Sequence, residues 1–343
     1  MAVTSFATDN ALTKKVWEEG LFRDTVKETY FSRFMGKNSE SLVHVKENLE
    51  KSQGDKITFG LRMRLTGSGV TGTATLEGNE EALTTYSDSL TLEMYRHGVR
   101  DRGALDRKRA MFSINEESIY ALKDWGREKI DQLCFDALTT SPTKNFYRDG
   151  TASGAVAASS STATAKGALR AANSKLTPDF ISALKASAKT GGNRAYVPIR
   201  PVMVDGRAYY ILLVHPDNMY DLKIDSGFEQ AFREAEVRGP ENPIFKGATA
   251  IWDGVVIHEH ENVPIFTDGG AGAEAGSQGM FLGAQSLCWA FGERPEVVTE
   301  TFDYGNQVGH AWSMIAKAEK PTFNSQDYGS LGVWLARTNI SGI

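Results

Sequence analysis

The side chains best suited to chemistry lie in the segment Val256–His260, VIHEH. His258, Glu259 and His260 set two imidazoles two residues apart, so on a strand both rings leave the same face. With His215 as a third ligand, that arrangement would begin a zinc site and serve a metal-dependent hydrolase. Such an enzyme also needs a general base and an open coordination position, and no H-E-x-x-H occurs. Two histidines on the exposed face of a strand are the commoner meaning of the pattern. Glu80 and Glu81 are adjacent, so an extended segment sends their carboxylates to opposite sides and they cannot flank one reacting bond. No G-x-S-x-G, no P-loop and no G-x-G-x-x-G opening a helix is present. DGGAGAEAGSQG, 268–279, lacks the alternating ligands of a calcium loop and reads as a flexible connection. Catalysis, a metal and a cofactor have no support in these motifs.

Composition narrows the classes further. The 343 residues, 41% hydrophobic, suffice for one large core or two medium ones, and length favours two lobes. A net charge of -5 argues against an electrostatic grip on nucleic acid by the whole chain. Cys134 and Cys288 are too few for a disulfide framework, so a reducing compartment is expected. No apolar run reaches the ~18 residues of a membrane span, and the first ten residues lack a signal-peptide pattern.

The elements that would position any site follow from periodicity. The longest helical stretch is Ser113 to Leu138, opened by an S-x-x-E capping box of Ser113 and Glu116. Ile119, Leu122, Gly126, Ile130, Leu133 and Ala137 form its apolar stripe, and Lys123, Asp124, Arg127, Glu128 and Asp131 its polar faces. At 1.5 Å per residue it is roughly 39 Å long. Ahead of it, Ile57, Phe59, Leu61, Met63 and Leu65 alternate with polar residues, and Leu90, Leu92 and Met94 answer them, which predicts an antiparallel ribbon. Its connector, Thr66 to Ala82, has four glycines and the carboxylates Glu77, Glu80 and Glu81, and cannot build a core. Arg96, Arg100, Arg102, Arg107, Lys108 and Arg109 form a basic cluster that reads as solvated charge or as ion pairs with acids such as Glu77, Glu80 and Glu81. Near the N-terminus, Trp17, Phe22, Phe31 and Phe34 suggest short helical pieces that pack on their own core or dock on a neighbour.

Residues 141–166, rich in Ser, Thr, Ala and Gly, read as a boundary. Beyond it helices and strands alternate: an N-cap at Thr177 with a helix over 180–189 ending at Gly191, a buried strand YYILLV at 209–214, a short turn-helix at 219–222, a helix over 228–237, and a hairpin over 250–258 pivoting on Asp253-Gly254. Strand-like runs at 311–316 and 331–336 close the chain.

This order of parts resembles the major capsid proteins of tailed bacteriophages, the Hong Kong 97-type fold, an α+β architecture. ITFGLRMRLTGSGVTGTATLEGNEEALTTYSDSL, 57–90, looks like the signature segment of the capsid family named after phage N-four, and ETYFSRFMG, 28–36, and RHGVRDRG, 96–103, are similar to it as well. HPDNMYDL, 215–222, and PTFNSQDYGSLGVWLARTNI, 321–340, also look like capsid-protein features. The resemblance implies a non-enzymatic shell subunit, forming hexamers and pentamers of an icosahedral head that encloses double-stranded DNA; an encapsulin-like shell with a protein cargo is the alternative. It implies an N-arm at 1–54, an extended E-loop at 55–100, a P-domain at 101–166 and 301–343 whose spine helix is 113–138, and an A-domain at 167–300. Trp17, Phe22, Phe31, Arg62, Arg64, Glu77, Glu80 and Glu81 are then the expected subunit contacts. The implied partners are other copies of the chain, portal, scaffolding and decoration proteins, and packaged DNA held non-specifically, with no membrane. The implied location is the virion capsid, assembled in the bacterial host cytoplasm.

Overall fold

The computed structural model describes residues 29–46, 54–63, 65, 67–150, 155–171, 173–194, 198–204, 206–229 and 250–338. Trp17, Phe22, Arg64 and most of the expected helix 228–237 lie outside them. The chain divides into two compact units, one of residues 1–28, 96–127 and 295–313, the other of 29–95, 128–294 and 314–343.

The larger unit is built on a mixed nine-stranded sheet. Its centre is the strand Glu274–Leu282, antiparallel to both Arg207–Val214 and Ser330–Ala336. Val255–Glu259 runs parallel to Arg207–Val214 on one side, and Asn145–Arg148 parallel to Ser330–Ala336 on the other. Tyr210 to Val214 are fully buried, as expected of a continuous apolar run inside a sheet. The helix Pro178–Arg194 lays Phe180, Ile181 and Leu184 on this sheet, against Phe146, Leu212 and Phe281. The hairpin 250–259 turns at Asp253 (φ 46°) and Gly254 (φ 74°), both left-handed, as a two-residue turn matched to strand twist requires. His215 caps the helix Pro216–Ile224 by accepting the Asp217 N–H.

Two stretches differ from expectation. Residues 268–279 are not a flexible loop: Ile265–Gly269 and Glu274–Leu282 are paired strands, the second deep in the sheet. Their glycines permit close approach. A Cβ on Gly276 would stand 2.5 Å from Phe266 and 2.7 Å from the Leu335 carbonyl, and one on Gly279 2.9 Å from the Leu213 carbonyl. Nor is 141–166 only a boundary, since Asn145–Arg148 and Val156–Ser159 form the margin of the sheet and Phe146 and Tyr147 are buried.

A five-stranded sheet takes, in order, Met35–Gly36, Val43–Lys46, Leu287–Phe302, Gln307–Glu319 and Glu93–Arg100. Here the ribbon departs from its expected extent. Lys56–Arg62 pairs with Thr85–Thr91, Ile57 opposite Leu90, but pairing stops there and Glu93–Arg100 joins Gln307–Glu319 instead. Met94 thus leaves the ribbon, while Leu92 still donates its N–H to the Asp55 carbonyl at 2.7 Å.

The long helix runs Ile114–Thr139, one residue later at each end than the expected 113–138. Ser113 Oγ accepts the Glu116 N–H at 3.5 Å, half of the expected capping box. Leu122 and Gly126 are buried as the stripe predicts. In the C-terminal half the buried set is Asp131, Cys134, Phe135 and Leu138, while Ile130, Leu133 and Ala137 are half-buried, as is Ile119.

Candidate assembly interface

Three features present this chain to its surroundings: the root of the N-terminal segment, the ribbon with its tip, and the basic strand. The root begins at the short helix Tyr30–Phe34. Thr29 provides no side-chain cap, and Asp131 of the long helix supplies one instead, accepting the Tyr30 N–H at 2.6 Å and the Phe31 N–H at 3.1 Å. Asp131 is 4% exposed, so its expected place on a polar face facing solvent or neighbours is corrected. Burial pushes its carboxyl above the usual range, against the two N–H donors and the Arg33 charge, which pull it down.

Around that cap lies an aromatic cage. Phe31 is fully buried within its own chain, against Phe135 at 5.0 Å, so it anchors the segment and is not a free contact for a neighbour. Tyr30 meets the rings of His258 at 5.9 Å and His260 at 4.8 Å. The two histidines do leave the same face, but that face is covered. His258 is fully buried at the edge of Phe34, and His260 lies 4.6 Å from Phe135. His260 Nδ1 accepts the Asn262 N–H, as His215 Nδ1 accepts that of Asp217. Among the described residues no group of three His, Cys, Asp or Glu could hold a metal ion, and the hydrolase reading finds no support.

The ribbon is rooted by Ile57 and Leu90, which bury against Cys288 and Ala290, with Phe59 and Leu92 packed beside them. Asp88 accepts the Thr322 N–H at 2.8 Å, and Phe59 meets Phe323 at 6.0 Å. Under this root Lys320 donates to the carbonyls of Thr140 and Ser141, at 2.6 and 2.9 Å, just past the end of the long helix, and to Asp327 at 3.2 Å. Lys144 donates to the Asp327 carbonyl, and burial pulls its amine down to about 8. Asp88, Lys144, Lys320 and Asp327 carried no periodic signal. Each was legible only as a charged residue in a connection.

Outward from the root the exposure rises. Arg62 is exposed at the end of its strand, and the described residues from 67 to 84 form neither helix nor strand. The tip is nevertheless closed on itself. Glu81 accepts the Gly67 N–H at 2.6 Å, Glu80 accepts that of Gly78 at 2.8 Å, and Asn79 N–H bonds the Leu76 carbonyl at 2.9 Å. Glu77, Glu80 and Glu81 are exposed, as are Leu65, Leu76 and Leu83, each more than half open. Leu65 was read as the last apolar residue of the alternating strand, whereas Leu76 and Leu83 escaped the sequence reading because they keep no period. Apolar side chains therefore stand open to solvent at and beside this loop.

In the smaller unit Arg107 pairs with Asp101 and Arg109 with Asp106 at 3.8 Å, so two arginines of the basic cluster are paired by acids within it. Arg100 lies over the Phe302 ring at 4.4 Å and donates to Gln307. No helix among the described residues is long and apolar enough to cross a membrane.

A body with a buried-sheet core, a clasped ribbon and a separately anchored arm root defines a subunit of a protein shell with the Hong Kong 97-type fold. Solved structures of similar fold are phage capsids: that of Ralstonia phage GP4 matches with a TM-score of 0.80 and 26% identity over 99% of each chain. The Cyanophage Pam1 capsid matches with a TM-score of 0.81 and 23% identity over 98% of this chain and 99% of that one. The major capsid protein of Pseudomonas phage KPP25 is 27% identical over 97% of each chain. The chain belongs to the phage capsid protein family, whose pattern matches residues 5–333, and it is a major capsid protein, a subunit of a phage head shell. A cargo-holding encapsulin-like shell finds no support in these comparisons.

Proposed function

We propose that this capsid protein forms the hexamers and pentamers of an icosahedral head around double-stranded DNA, and that the loop 66–82 is the part each copy places on its neighbour. The observation that carries the reading is the clasped, exposed tip with Leu65, Leu76 and Leu83 on a ribbon whose root is buried. A stable protein contact buries about 1,600 Å² in total, and an extended ribbon offers such area without enlarging the core. Many such contacts add through avidity. On this account 1–54 is the N-arm and 55–100 the E-loop, 101–166 with 301–343 the P-domain and 167–300 the A-domain, with Arg62, Arg64, Glu77, Glu80, Glu81, Trp17 and Phe22 among the contacts. The acidic chain encloses DNA while adhering to it only weakly. Portal and scaffolding partners and assembly in the host cytoplasm follow from the same account.

Deleting Thr66 to Ala82 tests it. The expected product is a folded, soluble subunit with unchanged far-ultraviolet circular dichroism that builds no shells. Normal particles from the deletion would falsify the loop's assembly role.

A further inference from the structure

The hairpin that joins Leu287–Phe302 to Gln307–Glu319 turns within the smaller unit at Asp303, Tyr304 and Gly305, three successive left-handed residues with φ of 52°, 52° and 84°. Glycine adopts that conformation freely. A bulky residue does not, so Tyr304 is held there against its own backbone preference. The Gly305 N–H bonds the Phe302 carbonyl at 3.1 Å, the Asn306 N–H bonds the Asp303 carbonyl at 3.0 Å, and Asn306 Nδ2 donates to the Asp303 carboxylate at 3.1 Å. None of these bonds uses the phenol. Tyr304 is wholly exposed, the most open large apolar side chain among the described residues. Glycine or asparagine would make the same turn with less strain, so what the tyrosine adds lies outside the chain's own fold.

Beside this knob is a surface suited to receive one. Asn306 Oδ1 accepts the Ala104 N–H at 3.1 Å, Gln307 Nε2 donates to the Arg102 carbonyl at 3.4 Å, and a Cβ on Gly103 would lie 2.8 Å from Asn306. The turn is thereby fastened to the start of the short helix Ala104–Arg109. On that helix Leu105, Lys108 and Arg109 stand three and four residues apart and share a face. All three are exposed. The face is an apolar floor edged by two cations, and the knob is an aromatic ring beside the acid Asp303. Cations are drawn to aromatic faces, and arginine stacks on them. Knob and floor are complementary, yet in one chain they do not meet, since Tyr304 keeps its whole surface in solvent.

We propose that Tyr304 is an anchor between copies of the chain: its ring packs on Leu105 of the next copy, between Lys108 and Arg109, with Asp303 facing those cations. The inference rests on the shell reading and names one contact within it. Knob and floor are different surfaces of one subunit, so the contact is heterologous, each copy giving a knob to one neighbour and taking one from another. Tyrosine and arginine are the residues on which interface energy concentrates. A fully buried tyrosine contributes about 150–250 Å², against about 800 Å² per partner in a stable pair. The contact is thus too small to join free subunits and acts through repetition in the shell.

Tyr304→Gly separates assembly from folding. Glycine relieves the left-handed backbone, so unassembled subunits are expected to melt at the same temperature or higher, while shell yield by sedimentation and electron microscopy falls at least tenfold. Shells from the unaltered protein keep the shell reading independent of that outcome. Tyr304→Phe retains the ring and is expected to retain the yield, and Lys108→Glu with Arg109→Glu is expected to lower it as the glycine variant does. Cross-linking identifies the partner. Asp303→Cys with Lys108→Cys leaves Tyr304 and Leu105 in place, and Cys134 and Cys288 are buried. A short bis-maleimide applied to assembled shells is expected to join three or more chains on a denaturing gel, and neither single variant to join any. Normal yield from Tyr304→Gly overturns the inference. So do dimers from Asp303→Cys alone, which point to knob against knob, and double-variant chains that stay monomeric in intact shells.

Discussion

The Asp131 carboxylate, nearly sealed from solvent, spends both oxygens on the backbone of a segment about a hundred residues earlier in the chain. Replacement by Ala orphans two buried N–H groups and is expected to cost about 2–4 kcal/mol, with Asn, which keeps one acceptor, costing about half. Urea denaturation measures the loss, and hydrogen exchange at Tyr30 and Phe31 should accelerate. Lys144 makes a second prediction through pH. Its amine is pulled down to about 8 by burial, against an ordinary 10.5. Below about 8 both folded and unfolded chains hold the proton. Between about 8 and 10.5 the unfolded chain keeps it and the folded chain sheds it, so this group makes stability rise with pH across that window, by on the order of 3 kcal/mol. Lys144→Met should flatten that rise relative to the unaltered protein in urea melts at pH 7.5 and 9.5. At this scale the sequence was a poor guide. Asp131 looked like one more acid on a polar face, because a cap donated across a hundred residues leaves no periodic trace. The histidine pair was placed on one face correctly, but whether that face is covered depends on Tyr30 and Phe34, whose arrival no local pattern announces.

Elements were more legible. The long helix showed its start through Ser113 and Glu116, and its N-terminal stripe through Leu122 and Gly126. Gly126 is small for a reason: a Cβ there would stand 2.5–2.9 Å from the Trp312 indole. Gly126→Ala is expected to lower stability by about 1–3 kcal/mol through overpacking, although alanine is the better helix former, and a thermal melt decides the sign. The ribbon was readable from its alternation, and its register from Ile57 facing Leu90. Its end was not, since Glu93 to Tyr95 continue the same alternation while changing partner. Glycine misled at 268–279, where a loop-like composition serves close strand packing around Gly276 and Gly279.

For the whole molecule, the family was visible in the segment 57–90 before any fold was drawn, and the match over 5–333 agrees with it. The surfaces that would join copies were only partly visible. Glu77, Glu80 and Glu81 stood out by charge, whereas the exposed Leu76 and Leu83 emerge only in the structure. The central claim is that these surfaces close a shell of hexamers and pentamers. Electron microscopy of the protein expressed in bacteria, alone and together with the scaffolding protein proposed as its partner, tests it most directly. The account predicts closed particles with six-fold and five-fold clusters of density and ribbons reaching between neighbouring copies. Only small soluble species under both conditions, or particles whose ribbons touch no neighbour, would contradict it.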